Sequence, residues 1–268
     1  MLITRKGADL IVVRQTDHMA QVARMAERWG NELFPAPENR EETIRAAALH
    51  DNGWRIWEDH PTLVPETGRP RNLGEVERSA HAAFYSEGVR NAVAIDPYTG
   101  LLVSLHAAVL YAGVDGWNSE TLAPPLPADA SDLQRAFILE QATLQQRLRT
   151  ELTESRRYGR SVAADQLWPA YLRLRAWDRL SLYFVFFGMG DGEIDRVPTT
   201  HGETRIALRQ TGRYAASAQP WPFDQATVVL PVVASRVPDR AYKSGEEFLN
   251  VLVAARSEIE QFSLSAVD

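Results

Sequence analysis

The sequence predicts a mainly α-helical protein with a small β-sheet, and three observations lead there. Apolar residues recur at helical spacing in six segments between residues 16 and 187. β-branched alternation is confined to the two ends of the chain. Glycine and proline fall between the helical segments, where helices should stop. Residues 2–5 and 9–14 read as two strands joined by a Lys6-Gly7-Ala8-Asp9 turn. Thr16 or Asp17 can cap a first helix, 18–29, in which Met19, Val22, Ala23, Met25, Ala26 and Trp29 share a face, and Gly30 ends it. Pro35 and Pro37 form a linker to a second helix, 39–50, which stops at His50-Asp51-Asn52-Gly53. Residues 59–74 hold three prolines and two glycines without periodicity and read as a loop.

A third helix spans about 75–94, Asp96-Pro97 breaks it, and a fourth covers 99–112. Residues 113–130 form a long Pro- and Gly-rich loop, a feature that is uncommon unless functional or mobile. A fifth helix, 131–156, carries Gln, Arg and Glu outside and Leu inside, and offers a face for self-association; a sixth covers 164–187. Beyond Gly188, residues 204–210 and 226–235 alternate as strands, and Ser244 with Glu247 makes a capping box for a last helix reaching about Phe262. One domain over 1–268 is expected: a helical body, 16–187, and a smaller β/α addition from 1–15 and 200–268. The N-terminal hairpin should pair with the C-terminal strands, because an isolated hairpin is marginal.

Composition excludes several classes. The 268 residues carry a net charge of −6, so no overall basic field exists to attract nucleic acid or anionic lipid. There is no cysteine, which removes disulfides and thiolate metal sites. The start lacks an apolar signal core, and the longest apolar stretch, 180–189, is too short to span a membrane, so a cytoplasmic location is expected.

Four of the six histidines, His18, His50, His81 and His106, fall on or at the ends of four successive predicted helices. The helix around His106 is apolar almost all round and therefore buried, and a buried imidazole needs a hydrogen-bond partner or a metal. Asp178, in an equally apolar segment, needs a cation or a distant arginine; Arg179 points to another helix face. The His50-Asp51 doublet can direct a nitrogen and a carboxylate at one point. Four His and two Asp suffice for a dinuclear site with open positions, as catalysis requires.

The order His18, His50-Asp51, His81, His106, Asp178 resembles the HD-domain superfamily of metal-dependent enzymes, whose ligands come from a bundle of about five helices. The resemblance implies an HD-type helical bundle. It implies two divalent ions, iron or manganese first, then magnesium or zinc, with Asp51 bridging them as the catalytic residue. His18, His50 and Asp178 would hold one ion, and His81 and His106 the other. The implied reaction is hydrolysis of a phosphoester of a small-molecule substrate by a bridging water. The same ligands also suit a mixed-valent diiron oxygenase acting on a small polar substrate, or a non-catalytic sensor that keeps the fold. The stretches Arg14-Gln15-Thr16-Asp17-His18, His50-Asp51-Asn52-Gly53-Trp54, Asp178-Arg179-Leu180-Ser181-Leu182 and Pro220-Trp221-Pro222-Phe223 also resemble a bacterial group called DUF family 3891. Many dinuclear HD enzymes carry a Lys three residues after the doublet, where this chain has Trp54. With only Lys6 and Lys243 present, anion binding falls to arginines such as Arg14, Arg55, Arg71 or Arg179.

Plainer readings stand beside these. His81 can be a helix-surface residue near Glu77 and Tyr85, and His106 a core histidine bonded to a carbonyl. His60 is a loop residue or a group at the pocket mouth. Trp54 and Trp57 are helix packing or a pocket wall. His201 and the Gly188-Met189-Gly190-Asp191-Gly192 run are turns, the latter lacking the Lys of a phosphate loop.

Overall fold

The N-terminal hairpin, β1 (Leu2–Lys6) and β2 (Asp9–Val13), feeds directly into a helical layer. That layer comprises α1 (Gln15–Arg28), α2 (Arg40–Leu49), the short α3 (Trp54–Glu58), α4 (Arg78–Ile95), α5 (Pro97–Ala112), α6 (Asp132–Thr153) and α7 (Ala164–Val185). A two-stranded ribbon, β3 (Leu63–Val64) and β4 (Arg69–Pro70), lies between α3 and α4. The chain then forms β5 (Gly192–Thr199), β6 (Gly202–Gly212), β7 (Ala215–Gln219), β8 (Thr227–Pro238), α8 (Gly245–Ala254) and β9 (Ser257–Ala266). This computed structural model describes residues 1–113, 124–186 and 188–267. Most of the predicted 113–130 loop and Phe187, the predicted end of the sixth helix, lie outside the described residues.

Helix α5 shows how local sequence sets the layer. Pro97 occupies its first turn, the Asp96 carboxylate accepts the Thr99 N–H at 2.7 Å, and Gly113 ends it in the left-handed region at φ 66°. Nearly every side chain between these caps is buried. A helix apolar on all faces belongs at the centre of its layer, and α5 is packed by α2, α4, α6 and α7.

The expected mainly α, HD-type bundle with a small sheet is corrected here. Seven strands, in the order β1-β2-β8-β9-β7-β6-β5, form one mixed sheet, antiparallel except for the β7–β9 pair. This sheet is a principal layer of the fold. Val228, Leu230, Val232 and Ala234 of β8 alternate inward, and α1 lies across that strand while α7 packs on α1 and β5. The two ends of the chain meet directly, β2 pairing with β8.

The error has a physical source. The sequence reading extended the last helix from its capping box to Phe262, but α8 stops at Ala254 and residues 257–266 form β9 between β8 and β7. Glu258, Glu260 and Gln261 are good helix formers, and tertiary pairing overrode them. The Ala- and Ser-rich β7 and the Gly192–Thr199 strand carried too little alternation to register. Among the described residues, no helix is long and apolar enough to cross a membrane.

Candidate metal centre

Helices α1, α2, α5 and α7 direct four side chains, joined by Asp51 in the turn after α2, toward one buried point. His18 and His50 are completely buried as side chains, Asp51 and His106 nearly so, and Asp178 retains 15% exposure. His18 Nε2 lies 3.0 Å from Asp178 Oδ1. His50 Nε2 lies 3.6 Å from Asp51 Oδ2 and 3.6 Å from Asp178 Oδ1. His106 Nε2 lies 3.6 Å from Asp51 Oδ1. Ligand atoms of His18, His50 and Asp51, and those of His50, His106 and Asp178, lie within 4.8 Å of one another in each group. Two ligands on one cation at 2.0–2.2 Å are separated by about 3.0–3.5 Å, so these distances suit shared coordination.

The hydrogen bonds behind the centre fix which nitrogens face it. His50 Nδ1 meets the Ala47 carbonyl at 2.8 Å and must donate to it. Neutral His50 therefore carries its lone pair on Nε2, and that buried atom has no hydrogen-bond partner. For His18 the chain of reasoning is longer. Gln21 Nε2 donates to the Leu230 carbonyl of β8 at 2.9 Å, which leaves Gln21 Oε1 to accept from Ser181 Oγ at 2.7 Å. Ser181, its hydrogen spent, accepts from His18 Nδ1 at 2.8 Å. So Nδ1 of His18 always donates away from the centre and Nε2 faces it, donating to Asp178 Oδ1 at 3.0 Å while protonated and offering a lone pair to a cation once that proton leaves; the central sheet holds that orientation from three residues away. Ser181→Ala is expected to weaken metal binding by roughly 10–100-fold while the fold persists, the usual effect of losing a histidine's outer partner; metal titration of the variant checks it.

Asp51 is held from a third direction. The Tyr85 hydroxyl donates to its Oδ1, and Trp54 Nε1 donates to the Tyr85 oxygen at 3.2 Å. Burial disfavours charge on both aspartates, yet the imidazoles outweigh it and hold both carboxyl groups below their usual range. Burial likewise opposes charge on His50, and the Asp51 and Asp178 carboxylates overcome it, lifting its pKa to about 9. A proton on His50 competes with a cation for the same lone pair. Since the protonated form dominates below that pKa, divalent-metal affinity is expected to climb as pH rises from 6 toward 9. Titrations at stepped pH check the direction.

The structure distributes the other nominated residues unevenly. His81 is outside both groups. Its Nδ1 meets the Tyr111 hydroxyl at 2.7 Å, its ring packs among Trp54, Phe84 and Tyr85, and burial depresses its pKa to about 4. It borders a separate cavity with Arg78, Leu110 and Tyr111. Asp178 pairs with His18 and faces His50. Arg179, expected on another helix face than Asp178, nevertheless lines one cavity with Asp178 and His106. Arg14 precedes α1, its carbonyl accepting the Asp17 and His18 N–H groups. Trp54 is wholly buried and serves packing and Tyr85. Arg55 and His60 are exposed, and Arg71 bonds back to Glu75 and Glu77. Sequence reasoning missed Gln21, Tyr85, Arg175 and Ser181. Each of Gln21, Arg175 and Ser181 lies three residues from a nominated ligand on the same helix, a spacing that turns it to the same face.

The family described as a protein of unknown function, DUF3891, matches residues 1–239. The chain belongs to the DUF3891 family. All five converging residues lie inside the matched span, as do Gln21, Tyr85 and Ser181, whereas α8 and β9 lie beyond it. No curated protein and no solved structure matches the chain.

Proposed function

We propose that the protein is a metal-dependent hydrolase of the HD type, acting on a phosphoester of a small-molecule substrate. The observation that carries this reading is the convergence of three buried imidazoles on two carboxylates, with His50 Nε2 3.6 Å from both Asp51 and Asp178. Without a cation, His50 must carry a proton to offset the two carboxylates, which is why they raise its pKa. A cation takes the place of that proton and satisfies both carboxylates together. Three imidazoles with two carboxylates suit iron, manganese or zinc better than magnesium, which favours oxygen ligands.

Asp51 is suited to bridge two ions, because Oδ2 faces His50 and Oδ1 faces His106. His18, His50 and Asp178 would hold one ion. His106, which groups with His50 and Asp178 and also faces Asp51, would complete that ion's ligands or hold a second ion on the flank of Asp51, and His81 would need to turn from Tyr111 to join a second ion. Divalent ions held there supply the Lewis acid that makes water nucleophilic near neutral pH and offsets charge growing on the phosphoryl oxygens. The protein's own groups do the positioning. Tyr85 fixes the rotation of Asp51, Ser181 fixes His18, and Ala47 fixes His50, so little reorganisation is left for the reacting state.

Manganese- or iron-loaded protein is expected to release p-nitrophenol from bis(p-nitrophenyl) phosphate or its monoester, and Asp51→Asn to stop that release. Oxygen uptake dependent on iron and substrate, without phosphoester turnover, would replace hydrolysis by oxidation. Tight metal binding with neither activity would leave a sensor.

A further inference from the structure

We propose that the cavity beside the centre recognises its substrate by a carboxylate or phosphate oxyanion, through Arg179 and Arg175 under the control of Asp195. This deepens the hydrolase reading and rests on it for the chemistry at the substrate's other end. The cavity measures about 190 Å³ and joins His106 and Asp178 of the centre to Tyr171, Arg175 and Arg179. Tyr171, Arg175, Asp178 and Arg179 follow one another at helical intervals along α7, so a single helix face carries both a centre carboxylate and the arginine pair. The volume falls below the roughly 300–1,000 Å³ of pockets that enclose drug-sized ligands, which points to a small substrate.

The arginine pair already holds a carboxylate. Asp195 Oδ1 accepts from Arg175 Nη2 at 2.9 Å and from Arg179 Nη1 at 2.9 Å, and the Asp195 carbonyl accepts from Arg175 Nη1 at 3.0 Å. Arg175 is 4% exposed as a side chain, whereas Arg179 and Asp195 are 44% and 40% exposed. The buried arginine is thus a fixed anchor and the outer pair faces solvent. Two guanidinium groups share this one carboxylate, and a guanidinium fork offers five N–H donors matched to planar oxyanions.

Asp195 reaches the pair at a backbone cost. It lies in edge strand β5 where the register with β6 shifts between Ile194 and Val197, and the next residue, Arg196, has φ 54°. A left-handed non-glycine residue at a bulge is a strained arrangement that re-aims a side chain, and such strain gathers at functional sites. Here it sets a carboxylate against the arginines that flank the centre. A substrate oxyanion entering the cavity meets the same two donors, with Asp195 both orienting them and competing for them.

The test is calorimetric titration with inorganic phosphate and with acetate, on metal-loaded and metal-stripped protein whose metal content is measured. Arg179→Gln is expected to weaken phosphate binding about 10–100-fold, the effect of one charge-assisted hydrogen bond, with metal content unchanged. Asp195→Asn is expected to tighten it. Preference for phosphate over acetate would indicate a phosphoester substrate, and the reverse a carboxylate; either supports the oxyanion pair. Unchanged phosphate affinity in Arg179→Gln, or no binding by the metal-loaded wild type, overturns it. Weaker or unaltered binding in Asp195→Asn overturns the competing role of Asp195. If no metal loads, the hydrolase reading fails separately, and the metal-free comparison of wild type with Arg179→Gln still decides the anion pair.

Discussion

Asp51→Ala is expected to abolish turnover and to weaken divalent-metal binding by more than about a hundredfold, because losing an outer partner alone costs roughly 10–100-fold. Asp51 turns its two oxygens to different imidazoles, His50 and His106. Its loss removes a ligand and also the partner of the buried Tyr85 hydroxyl. The effect on folding without metal should be small or even favourable, since deleting one of two buried carboxylates relieves desolvation and mutual repulsion while His50 can lose its proton. Metal titration, circular dichroism and a phosphoester assay on one preparation separate these effects. A folded Asp51→Ala variant with normal turnover would remove Asp51 from the chemistry.

The second large effect is on stability. Gly53→Ala is expected to cost about 2–4 kcal/mol. A Cβ at position 53 would fall 1.9 Å from the Phe84 carbonyl oxygen of α4, and Gly88 of the same helix is also too close for a side chain, with a Cβ 2.7 Å from Gly53 N. These contacts are backbone to backbone, so no side-chain rotation relieves them. The turn carrying Asp51 would have to move away from α4, and with it the Asn52 amide that donates to the Gly88 carbonyl at 2.9 Å. Gly74→Ala, where a Cβ meets nothing within 4 Å, is the control and should change stability by no more than about 0.5 kcal/mol. Denaturant midpoints for both variants check the difference. Equal midpoints would mean that the α3–α4 approach is looser than described.

Much of the site was legible because the chain marks it with costly residues. His18, His106 and Asp178 stand out as polar groups in apolar helical runs, and the His50-Asp51 doublet sits where its helix stops. Burial cost is readable from neighbours in sequence. Rotation about a helix axis is less so, and His81 shows the limit: its helix is correctly placed, but its face turns the ring toward Tyr111 and Trp54. The supporting shell was invisible for a different reason. Gln21, Tyr85 and Ser181 are ordinary helix residues until a carbonyl from β8, a carboxylate and an imidazole arrive from elsewhere in the chain.

The same distinction explains the fold. The helices between residues 15 and 185, the short α3 apart, were readable from periodicity and from breaks such as Gly30 and Asp96-Pro97. The sheet was readable only in part: the hairpin, β6, β8 and the meeting of the two ends were expected, but β9 takes its conformation from β7 and β8 on either side rather than from its own composition. The bulge that carries Asp195 to the arginines of α7 was hidden for the same cause, since it exists only in register with β6.

The most direct test of the metal centre is elemental analysis of protein purified without added metal or chelator, alongside the His50→Ala/Asp51→Ala double variant. About one to two iron, manganese or zinc ions per chain, lost in a variant that stays folded, are expected. No metal in either protein, even after anaerobic reconstitution with iron and manganese, would contradict the centre and leave the five buried side chains a hydrogen-bonded core.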